Sequence, residues 1–206
     1  FVFLSDGSIV NKPEKIVSPL SDNKEVIFGV ASDLHFGSRE CQITALNEFC
    51  NDCKKEGVKH ILVPGDCLAG IKVYRGQERE QYAFTSDEQE ASLLRNLPEG
   101  FNWLVMGGNH DYSFIKNGGG HNPFPVISRY RKDIHFLGYD EVTVPILSGV
   151  DLKMWHPGGA GAYALSYKVQ KYIEQNAYKE LESISVGNKS TTTLRFVLAG
   201  HYHLQF

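Results

Sequence analysis

The chain has 206 residues, enough for one large domain with its own core. With 42% hydrophobic and 22% charged residues it has the composition of an ordinary soluble globular protein, and no apolar run approaches the ~20 residues that span a bilayer. The net charge of −3, from 21 basic and 24 acidic residues, offers no general basic surface for nucleic acid.

Phe1 to Val10 reads as a hairpin, with Asp6-Gly7 as its two-residue turn. Residues 12–24 carry Pro13, Pro19 and mixed charge, the composition of a linker or surface arm. This divides the chain into residues 1–24, a hairpin and linker that could end a preceding domain, and residues 25–206, the main domain. No basic segment precedes an apolar stretch, so no secretory signal is read. The opening at Phe1 and the end at Phe206, close after a dense motif, predict a longer polypeptide with flanking domains.

Val26 to Ala31 is a β-branched apolar run with the length of a buried strand. It leads into Asp33-Leu34-His35, whose two polar side chains share a face of an extended segment. Ser38 to Glu56 is predicted as a helix closed by Gly57, with Ile43, Leu46, Phe49, Cys50 and Cys53 on one apolar face. The cysteines are Cys41, Cys50, Cys53 and Cys67. Cys50-x-x-Cys53 has no second pair to complete a zinc site, so it reads as buried structural thiols, and the chain as cytoplasmic.

His60 to Val63 is a short strand running into Pro64-Gly65-Asp66-Cys67. Leu68 to Phe84 is an irregular insertion with Tyr74, Arg75, Arg79 and Tyr82, which is either a substrate-contacting loop or a solvated one. Ser86-x-x-Gln89 has the form of a capping box opening a helix to Leu97. Phe101 to Met106 is a buried strand that ends in Gly107-Gly108-Asn109-His110-Asp111. A glycine-rich loop to His121, a helix over Pro123 to Arg131 and a strand over Ile134 to Leu137 follow. Val142 to Leu147 and Leu152 to Trp155 are predicted as an antiparallel pair around Ser148-Gly149, ending in His156-Pro157-Gly158-Gly159. Tyr163 to Leu181 is a long helix with Leu165, Val169, Ile173 and Ala177 facing inward. A last strand, Leu194 to Ala199, ends in Gly200-His201-Tyr202-His203.

Five predicted strands thus end in metal-ligating residue types: Asp33/His35, Asp66, Asn109/His110, His156 and His201/His203. Each cluster alone is an ordinary turn, cap or packed imidazole. Grouped at one end of one sheet, they define a candidate site. Carboxylate, imidazole and amide donors together suit manganese, iron or zinc.

From Val26 to His203 the ordered set Asp-x-His, Gly-Asp, Gly-Asn-His-Asp, His and Gly-His-x-His resembles the calcineurin-like metallophosphoesterase superfamily. The resemblance implies an α/β (α+β) fold: two mixed β-sheets packed as a sandwich and flanked by helices. It implies two divalent metal ions, manganese preferred and iron or zinc the alternatives. Asp33, His35 and His203 would hold the first and Asn109, His156 and His201 the second, with Asp66 bridging both. A bridging carboxylate suits the ~3.5–4 Å two-metal spacing, and a water bound to both ions becomes a hydroxide nucleophile for in-line attack. The resemblance makes His110 the group that steadies the transition state or protonates the leaving oxygen. Asp111 either fixes the His110 tautomer or caps a helix over Tyr112 to Lys116.

The chain departs from the protein phosphatases of the superfamily. Gly65-Asp66 continues as Cys67-Leu68-Ala69-Gly70 without their Asp/Arg signature, and Asp111 stands where they carry Glu. The Gly-Asn-His-Asp form is similar to phosphodiesterases and to metal-dependent nucleases of repair and recombination. The expectation is a two-metal phosphodiester hydrolase, first a nuclease acting on nucleic acid and second a nucleotide phosphodiesterase, with Tyr74, Arg75, Arg79 and Tyr82 as candidate substrate contacts and no membrane partner. Its alternatives are a phosphomonoesterase or protein phosphatase, and a non-catalytic scaffold subunit of a DNA-processing complex. Every ligand position of the family is filled, which favours the enzyme. His121 and His135 are left over as loop, surface or core residues.

Overall fold

The computed structural model describes residues 2–3, 9–10, 19–22, 25–159, 166–185 and 193–201. The predicted N-terminal hairpin is present as β1 (Val2–Phe3) paired antiparallel with β2 (Ile9–Val10). Then come β3 (Gly29–Val30), α1 (Ile43–Lys55), β4 (His60–Pro64), α2 (Ser86–Asn96), β5 (Asn102–Gly107) and α3 (Asn109–Asn117). The chain continues through α4 (Phe124–Tyr130), β6 (Ile134–Tyr139), β7 (Glu141–Leu147), β8 (Val150–Trp155), α5 (Tyr167–Ser185) and β9 (Thr193–Ala199).

Two sheets form the body. One has the order β3-β4-β5-β6 and the other β7-β8-β9. The second is mixed, with β7 antiparallel and β9 parallel to β8. The first is parallel throughout its described strands, where the resemblance implied a mixed sheet. The reason is connectivity: a helix crosses over between each of its successive strands, and such crossovers yield parallel neighbours.

Alternation along β4 and β5 builds two cores. Ile61, Val63, Trp103 and Val105 face the helices and pack with Leu46, Cys50, Leu93, Phe114 and Ile127. Leu62, Leu104 and Met106 face the other way and meet Val144, Ile146, Leu152 and Met154 of the second sheet. Each such fully buried side chain contributes on the order of 1.5–3 kcal/mol. Parallel strands that share one direction bring all their carboxyl ends to one edge, and that edge carries the candidate ligands.

Several local expectations are corrected. The first strand is shorter than Val26 to Ala31, although Ala31 N still donates to Leu62 O. The first helix starts at Ile43 rather than Ser38, because Arg39 N donates to Glu80 O and Ser38 bridges Gln81. These contacts hold residues 38–39 against the insertion. The capping box is one residue earlier than read: Glu88 N donates to Thr85 Oγ1 and Thr85 N to Glu88 Oε2. On α5 the apolar stripe faces in only in part: Val169 is half-buried and lines the cleft, but Ala177 is exposed. Ile173 is 48% exposed, and Tyr172 instead stacks on Trp155 with ring centroids 4.1 Å apart. Leu165 lies outside the described residues.

All four cysteines are free, and burial pushes the Cys50 thiol up to about 11, as expected of an inert core thiol. Among the described residues no helix is long and apolar enough to cross a membrane.

Candidate metal centre

Asp66 lies at the centre of the strand-end cluster. It follows β4 and is 1% exposed. His35, Asp66 and His110 offer ligand atoms within 4.8 Å of one another, and so do Asp66, His156 and His201. Asp66 therefore belongs to both groups, the arrangement a bridging carboxylate requires.

The backbone is bent to achieve this. Asp33, His35, Asp66 and His201 have φ of 55°, 49°, 51° and 87°. Such left-handed conformations cost non-glycine residues on the order of 1–3 kcal/mol each and gather at functional sites. Glycine clears the space around them. A Cβ on Gly108 would come within 2.2 Å of Asp66 Oδ1, and one on Gly65, with φ of 107°, within 2.0 Å of His156 Nδ1.

The second group is oriented atom by atom. His156 Nδ1 stands 2.8 Å from the Pro64 carbonyl, so that nitrogen carries the proton and Nε2 faces the site. His156 Nε2 lies 3.1 Å from Asn109 Oδ1 and 3.1 Å from Asp66 Oδ2. His201 Nε2 donates to Gly159 O at 3.0 Å, which turns its Nδ1 toward Asn109 Oδ1, also at 3.0 Å. Burial and then the neighbouring His156 hold the His201 ring below its ordinary range, so it is neutral and offers a lone pair.

Four acceptor atoms thus converge: His156 Nε2, His201 Nδ1, Asn109 Oδ1 and Asp66 Oδ2. Asp66 Oδ2 is buried without a hydrogen bond of good geometry, although His156 stands beside it. Burial opposes a charge on His156, but the bond to Asp66 and its charge outweigh this and push the ring up to about 9. One proton on His156 satisfies part of the set. A divalent cation satisfies all of it, and imidazole, amide and carboxylate are suitable donors. The residues fit a metal.

The first group differs in detail from the family pattern. Asp33 Oδ1 and Oδ2 accept the His201 N–H at 2.9 and 3.0 Å, and Asp33 Oδ2 accepts Ser32 Oγ–H at 2.5 Å. Asp33 is thereby tied to the end of β9. His203 lies outside the described residues. His110 comes into the first group, with Nε2 4.0 Å from Asp66 Oδ2 and its ring 4.4 Å from that of His35.

Asp111 does not pair with the His110 ring. Its carboxylate is fully buried and accepts three backbone N–H groups: Leu68 at 2.8 Å, Gly108 at 2.9 Å and Cys67 at 3.1 Å. Burial, then the charge of Asp66, push it up to about 7 against those donors. It clamps the loops after β4 and β5 together. The His110 Nδ1 partner is instead the Ala69 carbonyl at 2.6 Å.

A cleft of about 1010 Å³ opens beside this centre, lined by His35, His110, Tyr74 and Gln77 with Leu34, Leu46 and Phe49. Among the four expected substrate contacts, only Tyr74 lines it. Arg75 and Arg79 are exposed outside its lining, and the Tyr82 hydroxyl pairs with Ser92 on α2. The insertion is ordered by buried glutamines that sequence reasoning missed: Gln77, Gln81 and Gln89 hold the backbone of Ala69, Gly70 and Ala83. The leftover His121 pairs with Glu90 at 2.6 Å.

This fold is that of a metallophosphoesterase, and the sequence matches the calcineurin-like phosphoesterases over residues 27–205. The chain belongs to that family. It is also similar to proteins named DNA polymerase II small subunit. The Methanocaldococcus jannaschii protein is 28% identical over 153 residues, 67% of this chain and 25% of that protein. The Halobacterium salinarum protein is 28% identical over 116 residues, 53% of this chain and 23% of the relative. The Pyrococcus abyssi protein is 36% identical over 94 residues, 39% and 15% respectively. The matched segments span about a quarter or less of these relatives.

Proposed function

We propose that this chain hydrolyses phosphodiester bonds with two divalent cations, and that DNA is its polymeric substrate. The observation behind this reading is the convergence of four acceptor atoms around Asp66 with one orphaned buried oxygen. In this reading Asp66 is shared, His35, Asp33 and His203 serve one ion, and Asn109, His156 and His201 the other. The cations would supply charge neutralisation at the phosphoryl group and acidification of the attacking water.

The chain's own groups do the rest. The Ala69 carbonyl holds the His110 Nδ1 proton, so Nε2 is presented at the Asp66 end of the cleft. From there Nε2 takes up a proton from water in the cleft and passes it to the leaving oxygen, which matters most for a diester with its poor leaving group. Tyr74 offers an exposed ring in the same cleft for stacking a base. DNA as substrate is supported by the relatives' names.

The test is a specificity-constant comparison with manganese-loaded protein. Bis-p-nitrophenyl phosphate and single-stranded DNA are set against p-nitrophenyl phosphate and a phosphopeptide. Faster diester and DNA cleavage is expected. Faster monoester or phosphopeptide cleavage would establish the phosphatase alternative. A second reading rests on the same relatives: the chain acts as a subunit of a DNA-polymerising assembly. A metal-loaded protein that cleaves none of the four substrates would leave that reading standing.

A further inference from the structure

Ala69 O is the acceptor for two buried donors. His110 Nδ1 reaches it at 2.6 Å from α3, and Gln77 Nε2 reaches it at 2.6 Å from further along the same insertion. Gln77 is 3% exposed, and its Oε1 accepts the Val73 N–H at 2.9 Å. That second bond fixes which end of the amide is the nitrogen, so Gln77 can only donate to Ala69. The Ala69–Gly70 peptide that carries this oxygen is held on its other side by Gly70 N, which donates to Gln89 Oε1 at 2.9 Å. Gln77 touches none of the candidate metal ligands in its hydrogen bonding.

We infer that Gln77 is a positioning residue for His110, acting through their shared carbonyl. This rests on the proposed role of His110 as the proton donor. The Gln77 amide occupies one lone pair of the Ala69 oxygen and holds the other toward the imidazole. The imidazole is thereby kept as the Nδ1–H tautomer with Nε2 free to exchange a proton at the cleft. Without that donor the carbonyl is held only through the Gly70 N–H bond to Gln89, about which it can tilt, and the ring loses its fixed tautomer and angle. The same short segment carries Tyr74, whose ring lies 6.1 Å from that of His110 and whose hydroxyl is held by Glu80. The insertion after Asp66 therefore orders the proton donor as well as lining the cleft.

Gln81 is the internal control. It too is buried, and its Nε2 donates at 2.5 Å to the next carbonyl, Gly70, which His110 does not use. Gln77→Met and Gln81→Met both delete one buried amide from the same loop. Turnover is measured on an aryl diester, whose leaving group needs little protonation, and on an alkyl diester, which needs it. Gln77→Met is expected to lower kcat on the alkyl diester about tenfold or more, the usual scale for an outer orienting partner. It should leave the aryl rate, KM and metal content nearly as in wild type. Gln81→Met should lower both rates in equal proportion, and Gln77→Met should add nothing in a His110→Ala background. Equal losses on both substrates for Gln77→Met would overturn the inference.

A readout independent of turnover separates this from failure of the hydrolytic reading. Ring nitrogen-15 shifts of His110 are expected to show the Nδ1–H tautomer in the wild type and a tautomer mixture in Gln77→Met. The same tautomer in both proteins, or Nε2–H in the wild type, also overturns it. If no diester is cleaved, these shifts still decide.

Discussion

Asp111 Oδ1 accepts the Leu68 N–H at 2.8 Å across 43 residues of sequence. With the Gly108 and Cys67 bonds, one carboxylate ties together the two loops that flank Asp66. Removing it strands three donors, each costing about 1–3 kcal/mol when buried and unpaired. Asp111→Ala should therefore lower unfolding free energy by at least about 3 kcal/mol in urea titrations of metal-free protein. Asp111→Asn, which keeps one acceptor oxygen, should lose distinctly less.

Asp66 is common to both ligand groups, so Asp66→Asn should weaken both sites together. Asn109→Ala should weaken the His156/His201 group alone. Metal content after dialysis against manganese distinguishes them. Bound metal should also stabilise the wild type by about 2.7 kcal/mol at a hundredfold excess over its dissociation constant. Thermal unfolding with and without manganese reads this directly, and the gain should vanish in Asp66→Asn.

His110→Ala is expected to retain the metals and lower diester turnover by about 10²–10⁴-fold, the scale of a lost general acid. Loss of metal would instead make His110 a ligand, as its place in the first group allows.

The φ of 49° at His35 predicts an inversion of the usual substitution order. His35→Gly should be more stable than His35→Ala by about 1 kcal/mol in the absence of metal, because glycine adopts this conformation freely. Paired denaturation curves in chelator measure the difference.

Arg131 donates to Asp133 at 2.6 and 2.8 Å and to Leu97 O at 2.9 Å. The Arg131 bond holds the Asp133 carboxyl below its ordinary value of 3.8. A depressed carboxylate stabilises the fold above its unfolded value, and that contribution is lost as pH falls through the lower folded one. Asp133→Asn should cost about 1 kcal/mol at neutral pH, given its partial exposure. The gap from wild type should begin to close below pH 3.8 and vanish under stronger acid, as urea midpoints would show.

The strand ends were legible because glycine, aspartate and histidine punctuate apolar runs there, and Asp66, Asn109, His156 and His201 do converge. The capping half of the Asp111 role was legible, as its bond from Gly108 N at the start of α3 shows, but the clamp was not, since its other partners are backbone N–H groups 43 and 44 residues away. The inward face of α5 was misread in part because Tyr172 and Asn176, rather than the whole aliphatic stripe, make its contacts with Trp155 and Lys153. Gln77 and Gln81 carried no signal, as a buried amide leaves no periodic pattern. The strained backbone at Asp33 and His35 was equally silent, because neither residue announces a left-handed turn as glycine does.

The bond from His201 N to Asp33 closes a loop of 168 residues. During synthesis the ribosome must therefore deliver almost the whole chain before this group can assemble. In the proposed reading both ions draw a ligand from the last few residues, His201 for one and His203 for the other. Nascent chains stalled before residue 201 should therefore hold manganese more weakly than the finished chain, so that the metal centre matures only as synthesis ends.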